Sequence, residues 1–229
     1  MPVPVHDPAP PGSAFAALPA VWRACFELAW AAVCAGSLPI GSVVVDAEGR
    51  IVARGRNRCA EFVETSPHLA GTPYLTGSPL AHAELNALLE LGYRPAGPRP
   101  VLYTTTEPCP LCMGAARMAG VGRVVFAARD PWAGCASMAE RLPYFAHAGP
   151  TAEGPTMALE APLVALQAAA HVQRGYGEHE FMVVWAEAFP AAMAAGRALE
   201  RDGVVTALTQ RGAAAWEAWE VIVAAVAGA

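Results

Sequence analysis

Residues 81–91 read AHAELNALLEL and residues 104–117 read TTTEPCPLCMGAAR, and these two stretches organise the chain. The first offers His82 with an acid, Glu84, two residues on. The second offers Cys109 and Cys112 with Pro108 and Pro110 on either side of the first thiol. One imidazole and two thiolates suit Zn²⁺ with a fourth position open to water. Positions i and i+2 of a helix lie roughly 200° apart, so His82 and Glu84 share no helical face. At a first turn, however, both can border one pocket, where the free amides and helix dipole favour anionic groups. The cysteines open the next helix in the same way, where those amides lower thiol pKa values. The flanking prolines stiffen the loop.

Working outward, residues 19–35 carry apolar side chains at helical spacing behind Pro19, a residue suited to a helix start. Residues 42–46 (SVVVD) and 50–57 (RIVARGRN) read as two strands of a hairpin around the turn AEGR. Residues 81–91 form a helix ended by Gly92, 99–107 a buried strand, 110–120 a helix and 123–130 a further strand. This alternation implies right-handed crossovers and an α/β sheet covered by helices. Residues 58–80 are dense in Gly, Pro, Ser and Thr without sustained period, which fits a substrate-facing lid or a surface insertion. Residues 131–155 read as loop with a short helix, 159–173 as strand then helix, and 181–200 and 204–226 as helices separated by Gly203. Residues 1–13 hold five prolines and read as an extended arm. The division expected is a domain over 1–150 and a mainly helical extension over 151–229, packed on the core or on a partner subunit.

With 229 residues, 55% hydrophobic and 15% charged, the composition is globular. A net charge of −5 with 15 Lys+Arg argues against broad binding to a nucleic-acid backbone. Six cysteines are too few for a disulfide scaffold. The start MPVPVHDPAPPGS lacks a basic, apolar leader and the run at 24–35 is too short to span a bilayer, so a cytoplasmic protein without membrane contact is expected. Taken alone, Cys-x-x-Cys also fits a redox pair, half a zinc knuckle or two buried thiols. His-x-Glu opening one helix, a strand, then Pro-Cys-x-x-Cys opening the next is the zinc deaminase signature.

On PIGSVVVD (39–46), GRNR (55–58), LAHAELNAL (80–88) and LYTTTEPCPLCMGAARMAGV (102–121), residues 20–130 resemble the cytidine deaminase superfamily. The EPCPLCMGA string is most similar to the guanine deaminase and tRNA adenosine deaminase branch. The resemblance implies a three-layer α/β/α fold with a mixed central sheet, here carrying a helical C-terminal extension. It implies Zn²⁺ held by His82, Cys109 and Cys112, with Glu84 as the catalytic proton shuttle rather than a ligand. The reaction implied is hydrolytic release of ammonia from a small amino-heterocycle, a free base or nucleoside with purine favoured. Alternatives are deamination of tRNA adenosine and a cytosine- or cytidine-type activity. A homodimer is implied too. Asn57 matches the asparagine that contacts the substrate in this branch, and also fits a turn cap. Trp132 is placed either to stack on a ring or to pack in the core. His68 and Tyr74 are candidate lid contacts, whereas Cys25, Cys34, Cys59 and Cys135 read as small buried residues.

Overall fold

A computed structural model describes residues 8–61, 75–92, 97–137 and 141–229. Helix α1 (Ala20–Cys34) leads into the antiparallel hairpin of β1 (Gly41–Val45) and β2 (Ile51–Arg56). There follow α2 (Ala83–Leu91), β3 (Val101–Thr106), α3 (Pro110–Met118) and β4 (Arg123–Ala128). A short α4 (Pro143–Ala148) precedes β5 (Thr151–Glu153), an exposed three-residue strand. The sheet runs β2-β1-β3-β4-β5, antiparallel as far as β3 and parallel from β3 to β5, so it is mixed.

Strand alternation sends side chains to two cores. Val44, Ala53, Leu102 and Val124 face α2 and α3, packing on Ala87, Leu88, Met113 and Ala116. Val43, Val45, Val125 and Ala127 face the other way, onto Cys25, Phe26 and Trp30 of α1 and onto the C-terminal helices. The layers are therefore α/β/α, as the resemblance implies. Two glycines let the helices close on the hairpin. A Cβ on Gly41 would stand 2.1 Å from the Cys25 carbonyl, and one on Gly55 would stand 2.2 Å from the Ala83 carbonyl.

Beyond β5 all described structure is helical: α5 (Met157–Gln173), α6 (Glu180–Ala188), α7 (Pro190–Arg201), α8 (Val204–Gln210) and α9 (Ala215–Ala227). These helices share one apolar cluster with α1, β1 and β4. The expected strand at 159 is the first half of α5. Leu163 to Ala170 are buried without interruption, and a run buried on every side carries no period that separates strand from helix. The expected helix over 181–200 breaks at Phe189, because Pro190 drives the preceding residue out of the helical region (φ −138, ψ 59). The one expected over 204–226 breaks at Gly212, whose φ of +67 suits glycine. Of the four cysteines expected to be buried, only Cys25 is; Cys34 lies exposed at the last turn of α1, and Cys59 and Cys135 are half-buried. No described helix is long and apolar enough to cross a membrane.

Candidate metal centre and its cavity

His82 is the N-cap of α2 and Cys109 the N-cap of α3, both in extended backbone conformation, with Pro110 at the first helical position of α3. The two helix starts meet above the C-terminal end of β3. There His82 Nδ1 lies 3.4 Å from Cys112 Sγ and 3.7 Å from Cys109 Sγ, and the two sulfurs are 3.6 Å apart. With Zn–S near 2.3 Å and Zn–N near 2.0–2.1 Å, tetrahedral geometry sets S···S at about 3.8 Å and N···S at about 3.6 Å. The three donor atoms thus already stand at the edges of a zinc tetrahedron, and they form the one such donor group among the described residues.

The electrostatics fit the same ion. The Cys109 thiol is pushed down to about 4, first by its hydrogen bond with Cys112 Sγ and then by His82. Cys112 moves in the opposite direction, because of its hydrogen bond with Cys109 and because burial and Glu84 oppose its ionisation. Its hydrogen bond to Cys109 raises His82. A divalent cation at this point would favour the thiolate form of both cysteines, since metal ligation requires deprotonated sulfur. Glu84 is 3% exposed, and burial raises its carboxyl above the usual range. The Thr104 hydroxyl donates to Oε1 at 3.0 Å, leaving Oε2 3.4 Å from Cys112 Sγ.

A cavity of about 240 Å³ opens over this centre. His82, Glu84 and Cys109 form its floor, while Trp132 and Asp130 lie at the loop after β4. That loop is tied to the residues before Cys109. Glu107 accepts from the amides of Asp130 (3.2 Å) and Ala136 (3.1 Å), and the Cys135 amide donates to the Pro108 carbonyl. Trp132 is 50% exposed, at the rim. Asn57 is buried beside the site but outside the lining set: its Oδ1 accepts from the Ser37 hydroxyl at 2.7 Å and, as a turn cap, from the Cys59 amide at 3.1 Å. His68 and Tyr74 lie outside the described residues.

Sequence reading missed the opposite wall. Gln167 and His171 of α5 and Phe181 and Trp185 of α6 line the cavity from the C-terminal helices. The signal was available, since Gln167 and His171 are polar residues at i and i+4 in an otherwise apolar run. Asn86 was missed as well. It is fully buried on α2, accepts from the Leu75 amide and donates to the Arg56 and Leu75 carbonyls, tying residue 75 down beside the site.

The family model for the cytidine and deoxycytidylate deaminase zinc-binding region matches residues 18–128. The tRNA-specific adenosine deaminase of Bacillus subtilis is 39% identical over 105 residues, which are 44% of this chain and 55% of that protein. A tRNA(Ile)-lysidine synthase of Deinococcus radiodurans is 39% identical over 100 residues, 42% of this chain and 15% of that protein. The chain thus spans about half the length or less of these curated relatives. Among solved structures, a guanine deaminase of Nitrosomonas europaea aligns over 75% of this chain and 98% of its own, at 23% identity and a TM-score of 0.47. The matched residues include all three donors of the zinc tetrahedron and the buried carboxylate beside it, so the similarity to the cytidine and deoxycytidylate deaminase zinc-binding region falls on the candidate metal centre itself.

Proposed function

We propose that this chain is a zinc-dependent hydrolase that removes the amino group of a small amino-heterocycle, a free base or nucleoside with purine favoured, as ammonia. The observation that carries the proposal is a buried carboxylate facing a tetrahedral His/Cys/Cys donor set at the floor of a cavity of about 240 Å³. Pockets for drug-sized ligands run to about 300–1,000 Å³, so this one suits a single heterocycle better than a nucleotide with its neighbours.

When bound, Zn²⁺ supplies a Lewis acid that lowers the pKa of water towards about 7. The protein's own part is proton management. Thr104 fixes Glu84 Oε1, so Oε2 is the atom positioned to take a proton from water. Glu84 then delivers it to the ring nitrogen and on to the departing amine as the C–N bond breaks; oxygen stays on the ring carbon and nitrogen leaves as ammonia. Burial raises the Glu84 carboxyl, bringing it closer to the range a reversible proton carrier needs at neutral pH. Trp132 would cover the ring at the rim, and Asn57 would act through the turn it caps. The protein would act as a homodimer in the cytoplasm.

A second reading is deamination of tRNA adenosine, favoured by the 39% identity to a tRNA-specific adenosine deaminase. The net charge of −5 opposes it, since a polyanion needs phosphate neutralisation. Ammonia release from guanine, adenine, cytosine and their nucleosides by wild type and Glu84→Gln decides between them. Release by wild type alone is expected. No release from any of them, with inosine appearing in tRNA, would establish the second reading instead.

A further inference from the structure

Two polar atoms in the cavity wall have no hydrogen-bond partner among the described residues: Gln167 Oε1 and His171 Nδ1. Both side chains come from α5, one turn apart, so they present to the same side of the helix. Gln167 is 3% exposed and its amide is anchored, Nε2 donating to Thr106 Oγ1 at 3.0 Å. That anchor leaves the carbonyl oxygen as a fixed, unpartnered acceptor on a residue that lines the same cavity as Glu84 and His82. Buried acceptors without partners are rare in folded proteins, and a site that strands one discriminates strongly between ligands that can and cannot satisfy it. The residues beside the pair are aromatic: His171 stands edge-on to Phe181 at 4.8 Å, with Trp185 one turn further along α6. A flat ring entering between this wall and the metal centre meets apolar faces and one fixed carbonyl.

We propose that Gln167, with His171 beside it, reads the ring edge of the substrate and selects amino-heterocycles that carry a ring N–H donor. This rests on the deaminase reading of the same cavity. Because α5 lies outside residues 18–128, the selecting wall belongs to this chain's C-terminal helices and the chemistry to its family region. The proposal separates two jobs that share one cavity: Glu84 moves protons, and Gln167 accepts a hydrogen bond from the ring.

The test measures equilibrium binding to zinc-loaded Glu84→Gln protein, in which turnover is removed and the wall is intact. The ligands are guanine, adenine, cytosine and the N-methyl derivatives of each. At least one parent base is expected to bind, and methylation at one ring nitrogen to weaken it roughly 10- to 100-fold, the effect of stranding one buried acceptor. Adding Gln167→Ala should weaken the parent base by a similar factor and admit the methylated base, because the change removes the acceptor and opens room. Gln167→Glu keeps an acceptor oxygen in place and should retain the preference; it also guards against a folding defect in Gln167→Ala, checked by thermal melting. Equal binding of parent and methylated bases, a preference that survives Gln167→Ala, or a preference for rings with an acceptor at that edge would each overturn the proposal. Ammonia release by the Glu84-containing protein is scored separately. Release without N–H selection sinks the proposal and leaves the activity standing; selection without release does the reverse. Binding of no base sinks both.

Discussion

Replacing Gly55 by alanine should damage the metal centre from a strand that contributes no ligand to it. A Cβ at Gly55 would lie 2.2 Å from the Ala83 carbonyl oxygen and 2.3 Å from the Ala87 amide nitrogen. Ordinary contact begins at 3.4 Å, so α2 must back away from β2 by about 1.2 Å. Both atoms are helix backbone, and no side chain can turn aside. The expected destabilisation is therefore at the upper end for overpacking, about 3 kcal/mol, or roughly 6–12 °C in melting temperature for a chain of this size. The consequence reaches the site because Ala83 stands between His82 and Glu84. A shift of the first turn of α2 carries Nδ1 away from sulfurs now 3.4 and 3.7 Å distant. Zinc affinity should fall by about 10- to 100-fold, the range seen when a ligand's support is lost. Thermal melts with and without a chelator, together with competition against a chromogenic zinc indicator, read both effects. Gly114→Ala is the contrast: its added Cβ meets nothing within 4 Å inside α3, so the change should be neutral or stabilise by up to about 1 kcal/mol. A Gly55→Ala protein that melts and binds zinc like wild type would refute the close-approach argument.

Thr104→Val removes the hydroxyl that donates to Glu84 Oε1 and so favours the charged carboxylate. The acid limb of the kcat/KM profile should move to higher pH, with about tenfold lower values on that limb, and Thr104→Ser should restore it; a loss equal at all pH values would point to misfolding instead. Burial is the first cause pushing the His171 imidazole down to about 4, with the charges of Arg174 and His179 adding to it. The folded protein therefore binds this proton less well than the unfolded chain. The contribution is intact above the unfolded value near 6.5 and is lost as pH falls from there through 4, on the order of 2 kcal/mol by pH 5 before discounting for partial exposure. In urea titrations across that window wild type should lose stability on the acid side relative to His171→Phe, which has no imidazole to titrate, and parallel curves would exclude this histidine as the cause.

What the sequence reveals is governed by where each side chain sits relative to a helix end. His82, Glu84, Cys109 and Cys112 stand out in the sequence because their residue types suit metal ligation and proton transfer and because helix starts carry recognisable punctuation such as Pro110, and the structure brings the four together. The strands up to β4 followed from β-branched runs alternating with helical periods, whereas their order in the sheet comes from the structure. β5 escaped because its three residues, Thr-Ala-Glu, are exposed and carry no pattern. Breaks at Phe189 and Gly212 were written in Pro190 and in the glycine itself, but an Ala-rich stretch outweighed them. Asn57 was read as substrate-facing or turn-capping, and its side chain does cap the turn before residue 59.

The wall and the floor of the cavity differ in the same respect. Two helix N-termini converge on the metal donors, and their free amides and dipoles offset the charge that two thiolates and a carboxylate leave after one Zn²⁺ binds. That requirement fixes residue type and spacing together, so it recurs as a motif wherever the chemistry does. Selection of a ring edge has no such demand. It needs one polar atom held at the right place, and any helix passing the mouth of the cavity can supply it from mid-span. In this chain α5 does so with Gln167, anchored not by a helix end but by Thr106, the last residue of the strand that leads to Cys109. A single hydrogen bond therefore joins the wall to the floor, and a substitution at Thr106 should disturb ring selection without touching any donor to the metal.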